Sequence, residues 1–131
     1  MVPLLLLLLF GIITFGFLFA QDLALGNSSR QSARYGVVQG HSCASVIAEA
    51  KDSSEPLVTL VDSDVIVLRG KTPSTATPVC GDPSVEPCKD SEIDDNLYVR
   101  VDYTASVLLP LPGMGSTVDL DGEGVFRCEF S

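Results

Sequence analysis

The first twenty residues constrain this chain more than anything that follows them. Met1-Val-Pro-Leu-Leu-Leu-Leu-Leu-Leu-Phe-Gly-Ile-Ile-Thr-Phe-Gly-Phe-Leu-Phe-Ala20 carries no charged side chain, and Thr14 is its one polar residue. A bilayer hydrocarbon core of about 30 Å takes about 20 residues of helix to cross. The run therefore has the length of a membrane span. A cleaved secretory signal is the rival reading, and Leu18-Phe19-Ala20 ends in the small residue that cleavage needs. The run exceeds the usual apolar region of a signal, about 7–15 residues, and no Lys or Arg precedes it. A retained anchor is expected, and on either reading the polar remainder is exported.

All 8 Lys+Arg and all 17 Asp+Glu of the 131 residues lie beyond Gln21, so about 111 residues carry the whole net charge of −9. That is enough for one small domain with a marginal core. Such acidity excludes nucleic acid, whose phosphates call for a basic face, and it opposes adhesion of the folded part to anionic headgroups. There is no Trp, and His41 is the single His. With no acid beside His41 in the sequence, neither a nucleophile with its base nor a metal centre can be assembled on paper. No enzyme activity, cofactor, metal or small-molecule substrate is expected. Asp90-Ser-Glu-Ile-Asp-Asp95 and Asp119-Leu-Asp-Gly-Glu123 are acidic enough to suggest calcium, but they lack EF-hand spacing and read as a solvated loop and strand face.

Cys43, Cys80, Cys88 and Cys128 make an even count in an exported domain and read as disulfides, with three possible connectivities. Cys80 and Cys88 enclose Gly81-Asp-Pro-Ser-Val-Glu-Pro87, a turn-prone stretch suited to a local bridge. Cys80–Cys88 with Cys43–Cys128 is the pairing expected from this. Cys43–Cys80 with Cys88–Cys128, and Cys43–Cys88 with Cys80–Cys128, remain open.

Beyond the apolar run, Gln21 to Arg34 contains no Pro and can continue the helix, with Gly26-Asn27 as a soft spot. Leu25, Ser29, Ala33 and Gly36 or Val37 share one face, a stripe of small residues suited either to close helix–helix contact or to a solvated stalk. Ser42 is a candidate N-cap for a short helix to Lys51 whose Cys43, Ile47 and Ala50 share a face. Pro56 ends that helix. Leu57–Leu60 is a brief apolar run, and Val65–Leu68 is β-rich. Gly70 to Asp95 is a long Pro-rich loop. Leu97 to Leu109 alternates apolar and polar residues as in a sheet covered on one side. Pro110–Ser116 reads as a turn-rich connection. Val118 to Phe130 alternates likewise, with Gly122 and Gly124 suggesting a bulge.

The expected fold is therefore α+β: a long N-terminal transmembrane helix continuing into a small head, in which a short helix packs on an antiparallel sheet of about three or four strands. The expected division is 1–22 membrane helix, 23–53 helical stalk and short helix, and 54–131 disulfide-stapled β-rich head.

The phrase Gly11-Ile-Ile-x-Phe-Gly16, preceded by Pro3 and a leucine run and followed by Gln21 and Ser32-Ala-Arg-Tyr35, resembles the TadE-like family, minor pseudopilins of the tight-adherence (Flp-type) pilus. Looser echoes lie at Val99-Arg-Val-Asp-Tyr103, Leu109-Pro-Leu-Pro-Gly113 and Phe126-Arg-x-Glu129; Thr14 stands where the family often has an acidic residue. The resemblance implies a non-catalytic, membrane-anchored subunit of a pilus or secretion apparatus, single-pass, with its head outside the cytoplasm. It implies membrane lipid, other pilin-like subunits and the assembly platform as partners. Its working surface would be Leu4–Phe19, with Leu8, Gly11, Ile12, Phe15, Gly16 and Phe19 as packing residues, together with the small-residue stripe beyond. From a different class, a secreted, disulfide-stapled binding domain released by signal cleavage is the alternative.

Overall fold

The computed structural model describes residues 1–106 and 117–129. The expected strand residues Val107–Leu109, the connection Pro110–Ser116 and Phe130 lie outside the described residues, as does the Leu109–Gly113 echo. Helix α1 spans Val2–Gly36 without interruption, and α2 spans Cys43–Ser54. Four strands follow: β1 Val65–Gly70, β2 Thr77–Pro78, β3 Asn96–Ser106 and β4 Thr117–Arg127. They form one antiparallel sheet in the order β2-β1-β3-β4. The α+β architecture read from the sequence is the one found.

Local chemistry accounts for the elements. Pro3 sits in the first turn of α1, where its missing N–H costs nothing. The Gly26-Asn27 soft spot does not break the helix, because the residues around it are held by packing. Ser42 caps α2, its hydroxyl accepting from the Ser45 N–H at 3.4 Å. Leu57–Leu60 forms no strand; Val58 and Leu60 turn into the core from an irregular segment.

Leu97, Val99, Val101 and Ala105 line the covered face of β3 and are fully buried, while Arg100 and Asp102 face outward. Tyr98 departs from the alternation. It lies on the outer face yet is buried, flanked in register by Leu68 of β1 and Val125 of β4. The covering layer is the second half of α1 with α2 beside it. Leu25 and Ala33 of α1, Val37 just after it, Val46 and Ala50 of α2, Val65 and Val67 of β1, and Cys88 join them in the core.

The glycines of β4 do not make a bulge. The β3–β4 register runs unbroken from Asn96↔Arg127 to Ser106↔Thr117. A Cβ at Gly122 would lie 2.7 Å from the carbonyl carbon and oxygen of Leu25. One at Gly124 would run into the Ser29 carbonyl and come within 2.6 Å of the Arg30 Cα. Both glycines let the helix backbone rest directly on the strand. At the other end of the seam, a Cβ at Gly36 would meet Leu97 Cδ2 at 2.7 Å and Val46 Cγ2 at 3.1 Å, where α1, α2 and β3 converge.

Backbone cannot step aside as a side chain can, so Gly124→Ala should destabilise the head by about 2–3 kcal/mol. Gly81→Ala, where a Cβ meets nothing within 4 Å, should stay within about 0.5 kcal/mol of wild type. Urea unfolding of the two variants in detergent checks both; equal midpoints would contradict the seam.

Candidate functional site

The exposed half of α1 is the most unusual surface of the molecule. Leu4, Leu5, Leu6, Leu7, Leu8 and Leu9 are all exposed, which no single amphipathic face allows. Along its most apolar 18-residue stretch, mean hydropathy is 2.7 and only 6% is buried. Apolar nearly all round, with Thr14 its one buried residue, this helix is long and apolar enough to cross a membrane. Leu8, Ile12, Phe15 and Phe19 fall on one stripe, four and three residues apart. They are 57%, 62%, 54% and 65% exposed. Gly11 and Gly16 flank them with open space at the position of a Cβ.

The small-residue stripe beyond it is used differently from the expectation. Leu25, Ser29 and Ala33 are fully buried and Gly36 is enclosed, because they face the sheet of the same molecule. They are not a solvated stalk; they close on β4 and, at Gly36, also on α2 of the same molecule. The three serines of this seam satisfy their hydroxyls within the helix: Ser28 donates to Leu25 C=O at 3.0 Å, Ser29 to Gly26 C=O at 2.9 Å and Ser32 to Ser28 C=O at 2.8 Å.

Gln21 stands at the start of the face that α1 turns to the head. It is only 5% exposed and donates through Nε2 to the Leu57 C=O at 3.1 Å, tying α1 to the segment after α2. The signal for it in the sequence was a polar side chain directly after the apolar run.

The cysteines pair as Cys43–Cys80 and Cys88–Cys128, with Cα separations of 5.6 and 5.7 Å. This corrects the expected local Cys80–Cys88 bridge and its Cys43–Cys128 companion. Helix α2 begins with N–H groups that need acceptors, and the loop supplies them. Val85 C=O accepts from Cys43 N–H at 2.7 Å, and Pro83 C=O from Ala44 N–H at 2.9 Å. Docked in this way, the loop crosses the start of α2 instead of turning back on itself. Cys80 lies beside Cys43, and Cys88 reaches the end of β4. Arg69 holds the far side of the loop, donating to Pro87 C=O at 3.1 Å and Lys89 C=O at 2.5 Å.

His41 stacks on Tyr35 with ring centroids 3.6 Å apart. The two acidic stretches are engaged in ion pairs and hydrogen bonds. Asp95 faces Arg69, Glu92 faces Lys71, Asp94 faces Arg127 and Glu123 faces Arg100, while Asp119 accepts from the Thr104 hydroxyl. Among the described residues no group of three or more His, Cys, Asp or Glu could hold a metal ion.

Two measurements check the loop. Digestion with trypsin and a protease that cuts on the N-terminal side of aspartate separates Cys80 from Cys88 between Gly81 and Asp82; non-reducing mapping should then link the Cys43 peptide to Cys80 and the Cys88 peptide to Cys128. Removing either bridge should cost about 4 kcal/mol by the chain-entropy relation. The Asp82 carboxyl is held below its ordinary value by the Ser84 N–H and then by the Ser84 hydroxyl. Its contribution to the loop is present above the ordinary carboxylate range and is lost as pH falls through the lowered value. Carbon-detected NMR titration should show Asp82 protonating below the ordinary aspartate value, and Ser84→Ala should move it back up.

The family model described as TadE-like protein matches residues 1–34, about a quarter of the chain and almost the whole of α1. This is the family that the wording of residues 3–16 and 32–35 resembles. No curated protein and no solved structure matches the chain.

Proposed function

We propose, from that family match and the uncovered half of α1, that this protein is a non-catalytic, membrane-anchored, pseudopilin-like subunit of a tight-adherence (Flp-type) pilus or related secretion apparatus. Residues 1–22 form the membrane-spanning unit and the disulfide-stapled head lies on the extracytoplasmic side. The protein acts through packing of its N-terminal helix against other pilin-like subunits and the assembly platform. Leu8, Gly11, Ile12, Phe15, Gly16 and Phe19 are the packing residues. The carrying observation is that α1 presents large apolar side chains on every side for five turns and then enters a folded core.

One observation keeps the secreted alternative in view. Among the described residues, Thr14 is the one buried α1 residue before Ala20, and the others, from Gln21 onward, lie beyond it. A cut after Ala20 would leave the seam residues Leu25, Ser28, Ser29, Ser32, Ala33 and Gly36 in the head. Intact mass separates the two readings: a membrane-anchored subunit retains residues before Gln21 and stays with the membrane after alkaline carbonate washing, whereas a chain beginning at Gln21 in the medium defeats the proposal.

Replacing Gly16 by Leu tests the packing surface. Bulk at a close helix contact separates backbones, so co-purification with pilus subunits should fall by about tenfold, or about 1.4 kcal/mol. Head stability should be unchanged, since a Cβ at Gly16 meets nothing.

A further inference from the structure

Strand β4 is the last strand of the sheet, eleven residues long, and among the described residues nothing pairs with its other side. The phase of its ladder follows from one bond. Cys128 N–H donates to Asp95 C=O at 3.0 Å, which makes that pair hydrogen-bonded and every second pair after it likewise. The even-numbered residues, Val118 to Phe126, therefore turn their N–H and C=O groups toward β3. Asp119, Asp121, Glu123 and Val125 turn theirs outward, and none of those groups has a partner among the described residues.

The side chains at these positions choose what can pair there. Asp119, Asp121 and Glu123 stand along the outer face of the open edge. Glu123 is paired with Arg100 at 3.0 Å, but Asp121 lies directly across from Asp102, and Asp64 lines the same recess. A second copy pairing through β4 about Asp121 would set Asp121 against Asp121 and Asp119 against Glu123. Like charges opposite one another are unfavourable, so that self-pairing is disfavoured. On the inner side, Gly26 and Arg30 lie over β4, and Leu23, three residues before Gly26, is 52% exposed. The succession Leu8, Ile12, Phe15, Phe19, Leu23, Gly26, Arg30 runs in steps of three and four. The exposed stripe of α1 and the open edge thus face the same way.

We propose that the β4 edge binds an extended segment of a partner protein by strand addition, with Lys or Arg at alternate positions facing Asp119, Asp121 and Glu123 and apolar residues between them facing Leu23 and Gly26. Main-chain hydrogen bonds to the outward groups supply the affinity, and the carboxylates select the sequence. The edge and its charge carry this proposal; it does not depend on pilus assembly.

The test uses the full chain in lipid nanodiscs and the peptide acetyl-Thr-Lys-Val-Lys-Val-Arg-Thr-amide as the probe. With peptide bound, amide hydrogen exchange at Asp119, Asp121 and Glu123 should slow by about tenfold or more, while Leu120 and Gly122, already in the ladder, stay unchanged. N-methylation of the peptide's edge-facing amides, or Asp121→Lys, should weaken binding by about tenfold or more, and high salt should weaken it too. Retained protection of Leu120 and Gly122 shows that Asp121→Lys is folded. Unchanged exchange at the three edge amides overturns the proposal, leaving the carboxylates as guards of an idle edge. Equal binding of the N-methylated peptide overturns it as well, since attraction to a charged face would then be the whole effect.

Discussion

The contact on which the rest depends is the one between the α1 backbone and the backbone of β4. Packed layers ordinarily stand about 8–10 Å apart because side chains fill the gap. Here Gly122 and Gly124 remove the side chains on one side, while Ser29 and Ala33 keep them small on the other. The seam is correspondingly close. Everything else in the head is arranged around it: α2 fills the remaining width of the sheet over β1 and β3, and Gly36 lets α1 end where Val46 and Leu97 meet. Leu25 is the one large side chain admitted to the seam from α1, and its complete burial is worth about 2 kcal/mol.

Much of this was legible in the sequence. An uncharged run of bilayer length, a Ser N-cap, a Pro terminator and the alternation from Leu97 identify α1, α2 and β3 from local rules alone. The stripe Leu25, Ser29, Ala33, Gly36 was also legible as a face; its partner was not. Small residues permit close approach to a helix or to a glycine-bearing strand alike, and Gly122 and Gly124 bear two meanings in a strand, a bulge or a neighbour at close range. Read together, the two stripes match each other, but that pairing depends on a contact separated by almost a hundred residues. Strand β2 is two residues in a Pro-rich loop and carries no periodic signal.

The disulfides show which local argument loses. Gly81 to Pro87 is turn-rich, and turns favour bridges between nearby cysteines. The opposing demand came from α2, whose first N–H groups find acceptors in Pro83 and Val85. A loop with few side chains to bury is placed by its backbone, and backbone partners outrank turn propensity here. The result is a segment of about 25 residues without a core of its own, fastened at Cys80, Cys88 and Arg69.

Because α1 runs from Val2 to Gly36 with no break, and because its last four turns are locked into the seam, the head has no swivel relative to the apolar segment. The two form a single lever. Rotation or lifting of the exposed half is carried along one continuous helix to β4. One helical residue corresponds to about 100° of azimuth, so a shift of the apolar stripe by a single position would carry the acidic edge to another side of the molecule. Neighbours that grip this helix thereby also decide which way its sheet looks.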